Sequence, residues 1–252
     1  MGDIQRPGAL YQQVAAEIRN AIAAGEFPPG APLPSETQLI ERYKVSRPTV
    51  RNAVAALRSE GLIEVIHGKG SFVRAAAAPT LAVNRSIHRT DGTFALGHHW
   101  ETVEEPTVYR TQTTATTAPL LELPEGEALF GADRLLADPR TGTRALHRVL
   151  IPFATAENTP LAQAPDTAPE GIYAVLTEAG HPLTWTETVS ARMPQPDERT
   201  ALELPNATPV VISTRITHGT DHQPLILEQL TASAAEAQFA YRLTADTTPA
   251  RT

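Results

Sequence analysis

The sequence is 252 residues long, has no cysteine and carries a formal net charge of −7. Without cysteine there is no disulfide framework and no thiolate chemistry, and no apolar run approaches the length that crosses a bilayer. The charge is uneven: residues 1–75 hold nine Lys/Arg and seven Asp/Glu, the remainder twelve and twenty-one, so cations can gather on one N-terminal face although the whole chain is acidic.

The length predicts two domains. The start Met1-Gly2-Asp3-Ile4-Gln5-Arg6 lacks the apolar region of a signal peptide. The expected setting is therefore cytoplasmic (nucleoid-associated), with no membrane partner.

Tyr11, Val14, Ile18 and Ile22 recur at the spacing of one helical face. Gly25-Glu26-Phe27-Pro28-Pro29-Gly30 ends that helix. Ser35-Glu36-Thr37-Gln38 has the S-x-x-Q spacing of a capping box and opens a second helix. A tight turn through Lys44-Val45 leads to a third helix starting at Ser46, with Pro48 in its first turn, where the missing N–H costs little. Val50, Val54 and Leu57 are its inward positions.

Two short helices joined by such a turn form a helix-turn-helix, whose second helix enters the major groove by its N-terminus. Arg47 and Arg51 lie one turn apart there, and a guanidinium can bond guanine O6 and N7 together. The hydroxyls of Ser46 and Thr49, with the free amides of the helix start, suit phosphates. An exposed amphipathic helix would carry the same arginines as solvated charges. The stretch that follows favours DNA: Leu62–Ile66 and Ser71–Val73 read as strands around His67-Gly68-Lys69-Gly70. A cationic, glycine-built tip of this kind fits a narrow minor groove.

Leu33-Pro34-Ser35-Glu36, Val45-Ser46-Arg47-Pro48-Thr49-Val50-Arg51, Glu60-Gly61-Leu62-Ile63 and Gly68-Lys69-Gly70-Ser71-Phe72-Val73 together resemble the GntR family of bacterial regulators. The resemblance implies DNA contacts from Ser46, Arg47, Thr49 and Arg51 on the recognition helix, and from His67, Gly68 and Lys69 on the wing. Ser35, Thr37 and Gly70 complete the candidate set. Relatives often carry Arg where this chain has Thr37, so a contact there is weakened or lost.

After Arg74-Ala75-Ala76-Ala77-Ala78-Pro79 a linker and lead-in segment is expected over residues 76–106. His98-His99-Trp100 could suggest metal, but no second ligand cluster accompanies it, and a loop or strand end is the expectation. Beyond Pro106 an internal repeat emerges. Leu121-Glu122-Leu123-Pro124 recurs as Leu202-Glu203-Leu204-Pro205 at an offset of 81 residues, which also matches Arg134 with Arg215 and His147 with Glu228. Each copy reads as a strand (107–116, 184–193), a short helix, and a hairpin (128–137 with 144–153; 209–218 with 225–232). Residues 170–179 read as a bridging helix.

Two such units predict an α+β fold: a winged helix-turn-helix, then a six-stranded, mainly antiparallel sheet with helices. That architecture resembles the UTRA effector domain of the HutC-type branch, whose fold is similar to chorismate lyase. The expected layout is a DNA-binding domain at 1–75, an effector-binding and dimerisation domain at 81–245, and a disordered tail at 246–252.

The repeat-related polar positions Arg134, His147, Arg215 and Glu228 are the candidate effector-binding residues; as an alternative, the two arginines form structural ion pairs. Sugar-phosphate-sensing relatives often carry Arg-x-Arg on the first hairpin and Glu on its return strand. Here those positions read Arg134-Leu135-Leu136 and His147, which implies a less charged ligand, or a carboxylate met by Arg134. No cofactor or metal is expected. The expected partners are double-stranded operator DNA, a small-molecule metabolite effector and a second copy of the chain, a homodimer on a palindromic site. Two competing readings are an enzyme that uses the C-terminal pocket with His147 and Glu228 as acid and base, and a DNA-binding protein with no effector.

Overall fold

The computed structural model describes residues 9–66, 68–74, 81–205 and 207–243. Two compact units divide the chain near residue 77.

In the N-terminal unit, helices α1 (Leu10–Ala23), α2 (Glu36–Tyr43) and α3 (Arg47–Ser59) precede a hairpin of β1 (Ile63–Ile66) and β2 (Gly70–Val73). The helical periodicity buries Val14 and Ile18 of α1, Leu39 of α2, and Val50, Ala53 and Leu57 of α3 in one core with Ile63 and Val73. Capping fixes where the helices start. Ser35 Oγ accepts the Gln38 N–H at 3.3 Å while Gln38 Oε1 accepts the Ser35 N–H at 2.8 Å, so two otherwise unmet donors are satisfied reciprocally. Lys44 closes α2 with φ of 56°, and this left-handed residue turns the chain into α3. Pro32 bridges to Phe72, adding a third strand contact to the wing.

The C-terminal unit is built on one antiparallel sheet, in the order β10 (Thr184–Arg192), β11 (Val210–His218), β12 (Pro224–Ser233), β9 (Arg144–Pro152), β8 (Ala128–Ala137). The outer edge of β8 is shared by β7 (Thr107–Gln112) and the two-residue β6 (Glu101–Thr102). The sheet therefore has seven strands rather than the expected six, because a piece of the presumed lead-in pairs with the far end of β8. Much of that segment is ordered strand. Leu81–Asn84 forms β3, parallel to β13 (Ala237–Ala240), and β4 (Ile87–Thr90) pairs with β5 (Thr93–Leu96). At four residues each, and with Gly92 and Gly97 between and after them, these strands are too short for a period to stand out. The Thr107–Thr116 strand stops at Gln112, since Thr114 and Thr117 exchange side-chain and backbone bonds that form a turn.

Helices α4 (Ala118–Leu121), α5 (Phe153–Ala156), α6 (Pro169–Glu178) and α7 (Pro196–Ala201) complete the unit. Helix α6 buries Ile172, Tyr173 and Leu176 against Phe94, Val149, Ile151 and Ile226. At Gly131 a Cβ would lie 2.4 Å from the Tyr109 ring, so glycine is required for that ring to cross β8.

The sequence repeat is a symmetry of the sheet. Arg134 stands opposite His147 in the β8–β9 ladder, and Arg215 stands opposite Glu228 in β11–β12. The same offset maps the β7–β8 register onto β10–β11. A pseudo-twofold axis thus passes between β9 and β12, the two central strands.

Candidate functional site

The start of α3 presents the expected DNA-contact residues. Ser46 Oγ accepts the Thr49 N–H at 3.4 Å, and the two hydroxyls lie 2.8 Å apart. Arg47 is exposed, and among the described residues no hydrogen bond or ion pair holds its side chain. Arg51 is 70 % exposed and its Nε lies 3.9 Å from Glu36 Oε1. Glu36, at the start of α2, is a neighbour of Arg51 that the sequence reading did not name as one. Ser35 and Thr37 are exposed at the same end of α2. At the wing tip Gly68 and Gly70 take φ of 74° and 109°, and no atom lies within 4 Å of where either Cβ would be. Exposed Lys69 donates its N–H to Ile66 O at 3.0 Å. His67 lies outside the described residues.

In the C-terminal unit, Arg134, His147, Arg215 and Glu228 line one cavity of about 150 Å³, together with Arg85, His98, Trp100, Leu136, Pro169 and Leu230. Pleating explains the convergence. Positions an even number of residues apart share a sheet face, and the axis between β9 and β12 brings the two copies side by side. His147 Nε2 and Glu228 Oε1 are 3.6 Å apart, and Tyr173 donates its hydroxyl to Glu228 Oε2 at 2.5 Å.

The two arginines differ. Arg215 bonds Glu187 Oε2 through Nε at 2.8 Å and Nη2 at 2.6 Å, and the Arg85 carbonyl through Nη2 at 2.5 Å. Glu187 also takes Arg85 Nε at 2.8 Å, the Tyr241 hydroxyl at 2.9 Å and the Ser213 hydroxyl. Arg134, which is 7 % exposed, spends Nη2 on the carbonyls of Asp166 and Thr167, at 2.5 and 2.9 Å. Its Nη1 is buried with no partner among the described residues. The ion-pair alternative therefore holds for Arg215 but not for Arg134.

His98 and Trp100 lie in the loop that follows β5, as expected for this segment, and meet edge to face at 4.7 Å on the cavity wall. His98 Nε2 is 3.2 Å from Asp138 Oδ2 but poorly aligned for a hydrogen bond. Among the described residues no group of three or more His, Cys, Asp or Glu is placed to hold a metal ion.

Comparison with known proteins is consistent along the chain. The bacterial regulatory proteins of the gntR family match residues 10–73, and the UTRA domain matches residues 108–236. An uncharacterised HTH-type transcriptional regulator of Streptomyces coelicolor is 29% identical over 212 residues, covering 77% of each chain. The histidine utilization repressor of Pseudomonas aeruginosa is 28% identical over 226 residues, 84% of this chain and 82% of that protein. A crystal structure assigned to a GntR-family transcriptional regulator superposes with a TM-score of 0.69 at 23% identity, over 95% of this chain and 99% of that one.

The chain belongs to the gntR family. It is a HutC-type GntR regulator, a DNA-binding transcription regulator that pairs a winged helix-turn-helix with a UTRA domain. The enzyme reading has no support, since the family is one of regulators.

Electrostatics set the two halves of this GntR regulator's cavity apart. Burial opposes the charge on Arg215, yet Tyr173, Glu228 and Glu187 outweigh it and raise its pKa. Burial pushes the Arg134 pKa down, and Asp166, Glu228 and Glu170 do not fully offset it. Burial also opposes ionisation of Glu187 and Glu228. Arg85, Arg215 and Ser213 hold Glu187 below the usual carboxylate range, and His147, Arg215 and Tyr173 do so for Glu228. Sequence reasoning missed Arg85, which lines the cavity, and Glu187 and Tyr173, which bond the cavity residues Arg215 and Glu228. Nothing in the sequence pattern marked Glu187, whose offset position in the first half is Pro106; its place opposite Arg215 in the β10–β11 ladder shows it.

Proposed function

We propose that this regulator is a homodimeric repressor, held on a palindromic operator in the cytoplasm until a small-molecule effector occupies the C-terminal cavity. The observation that carries the reading is the cavity itself: four repeat-related polar side chains converge on it, and one, Arg134, keeps a buried donor without a partner among the described residues. A buried cationic donor left unmet is costly, and a ligand that meets it is bound preferentially in whichever state presents it. Hundredfold weaker operator binding needs only about 2.7 kcal/mol of such coupling.

On the DNA side, the recognition-helix start and the wing supply the contacts. Ser46, Arg47, Thr49 and Arg51 face the major groove, Ser35 and Thr37 flank them, and Gly68, Lys69 and Gly70 approach the minor groove. Repression is supported by the Pseudomonas aeruginosa relative, a histidine utilization repressor.

The test is to select genomic fragments that the pure protein retains, then titrate the selected operator with and without metabolites. A compound that releases wild type and fails to release Arg134→Ala, while that variant still binds operator, is the expected result. Release that is indifferent to both Arg134→Ala and His147→Ala would place the effector elsewhere.

A further inference from the structure

The two halves of the sheet are register-equivalent, so the partner each arginine finds can be compared position by position. Glu187 stands opposite Arg215 in the β10–β11 ladder. The repeat offset of 81 residues carries Glu187 back to Pro106, which immediately precedes β7 and falls opposite Arg134 when the β7–β8 register is continued by one pair. One half thus supplies a carboxylate to its arginine from the neighbouring strand, while the other offers proline at that place.

We propose that the effector is a compact carboxylate, its carboxyl group taking on Arg134 the place that Glu187 takes on Arg215. The inference rests on the cavity being the effector site, as argued above, and adds the ligand's chemical class.

Three further observations agree. Of the three arginines beside the cavity (Arg85, Arg134, Arg215), Arg85 and Arg215 share the Glu187 carboxylate, whereas among the described residues Arg134 bonds to no carboxylate, with Glu170 nearby at the rim. A carboxylate ligand meets Arg134, whereas a phosphate monoester brings a charge of about −1.5 to −2 at neutral pH and would need a second free cation. Arg85 and Arg215 are already committed to Glu187.

The start of α6 also borders the cavity through Ala168, Pro169 and Glu170. The first amides of a helix have no acceptor within it and carry the positive end of its dipole. Pro169 has no N–H to offer, so the amides without an acceptor in the helix at this start are those of Glu170 and Gly171, and Arg134 ties this end down through the Asp166 and Thr167 carbonyls.

Size points the same way. The cavity measures about 150 Å³, and an engineered cavity of about 150 Å³ holds benzene. Its walls include Leu96, Trp100, Leu136, Pro169 and Leu230, so the body of the ligand is a single ring or short apolar chain, much smaller than a hexose phosphate.

The experiment uses the full chain and three matched probes: benzoate, its neutral isostere benzamide, and phenyl phosphate. Binding is read from tryptophan fluorescence and from the thermal midpoint. Benzoate is expected to bind about tenfold or more tighter than the other two, the scale of one charge-assisted pair of hydrogen bonds. Pro106→Glu, which offers the first half its own carboxylate, should abolish that preference. Glu170→Gln, a change at the half-buried rim, should tighten benzoate and leave benzamide unchanged.

If phenyl phosphate or benzamide binds as well as benzoate, the carboxylate class is wrong while the cavity remains a ligand site. Should none of the three bind, the cavity reading falls with it. Benzoate binding indifferent to both variants would overturn the place assigned to the carboxyl group.

Discussion

Arg215 and Glu228 face each other across the β11–β12 ladder, yet Arg215 turns its donors to Glu187 on the opposite neighbour, β10. Glu228 is left to His147 across the sheet's axis and to Tyr173 of α6. The buried charges therefore form two linked groups, one built on Glu187 and the other on Glu228.

The first prediction concerns Glu187→Ala. It strands Arg85 and Arg215 without their shared counter-charge, and breaking a buried pair by removing one partner costs about 3–5 kcal/mol. A urea denaturation midpoint for the C-terminal transition should fall accordingly. A loss within experimental error would mean that water replaces the carboxylate at little cost.

How far the sequence went can be judged from these same residues. Strong periodicity and cap chemistry made the three N-terminal helices readable, down to Ser35 with Gln38. The repeat offset placed Arg134, His147, Arg215 and Glu228 together before any coordinates. Glu187 was harder, because it sits in a Thr-rich strand where nothing local distinguishes an inward carboxylate from a solvated one. Tyr173 reads as one more apolar position on α6 until the Glu228 carboxylate is seen beside it. The short strands β3 and β6 are held by partners distant in sequence, Leu81 by Ala237 and Glu101 by Ala137, a tertiary effect that a local pattern does not carry.

The second prediction is for DNA. Arg47→Ala and Arg51→Ala should each weaken operator binding by about 1–3 kcal/mol if the contact is bidentate to guanine, and relax specificity at one base pair per half-site. Arg51→Ala also removes the nearby partner of Glu36, leaving a carboxylate that repels phosphate. The double variant Arg51→Ala with Glu36→Gln should therefore recover part of the loss. Wild-type affinity in both arginine variants, measured by fluorescence anisotropy, would rule out this helix start as the reader.

Lys69→Ala should behave differently. A wing-tip cation acts through counterion release, so its loss lowers affinity for all sequences and reduces the slope of log K against log salt by about one. An unchanged slope would indicate that the wing stays off the DNA.

Glu228 gives a pH-dependent expectation. Its folded pKa lies below its unfolded value, so its charge stabilises the fold above the usual carboxylate range. That contribution is lost as pH falls through the folded pKa. Glu228→Gln should destabilise the C-terminal unit at neutral pH, and the gap to wild type should shrink on acidification below about pH 4. A gap that is constant from neutral to acid would show that Glu228 acts by shape and hydrogen bonding alone.

The axis between β9 and β12 has a consequence for how such a domain can have arisen. His147 and Glu228 are the same position in the two halves, and they now stand 3.6 Å apart. Were the halves separate, identical chains related by a true twofold, that position would have to meet itself, histidine on histidine or glutamate on glutamate. A pair of buried carboxylates so close could not both ionise. Joining two copies in one polypeptide lifts the constraint, because each can mutate alone. The complementary pair at the centre of this sheet is thus an arrangement open to a duplicated, fused gene and closed to its undivided ancestor.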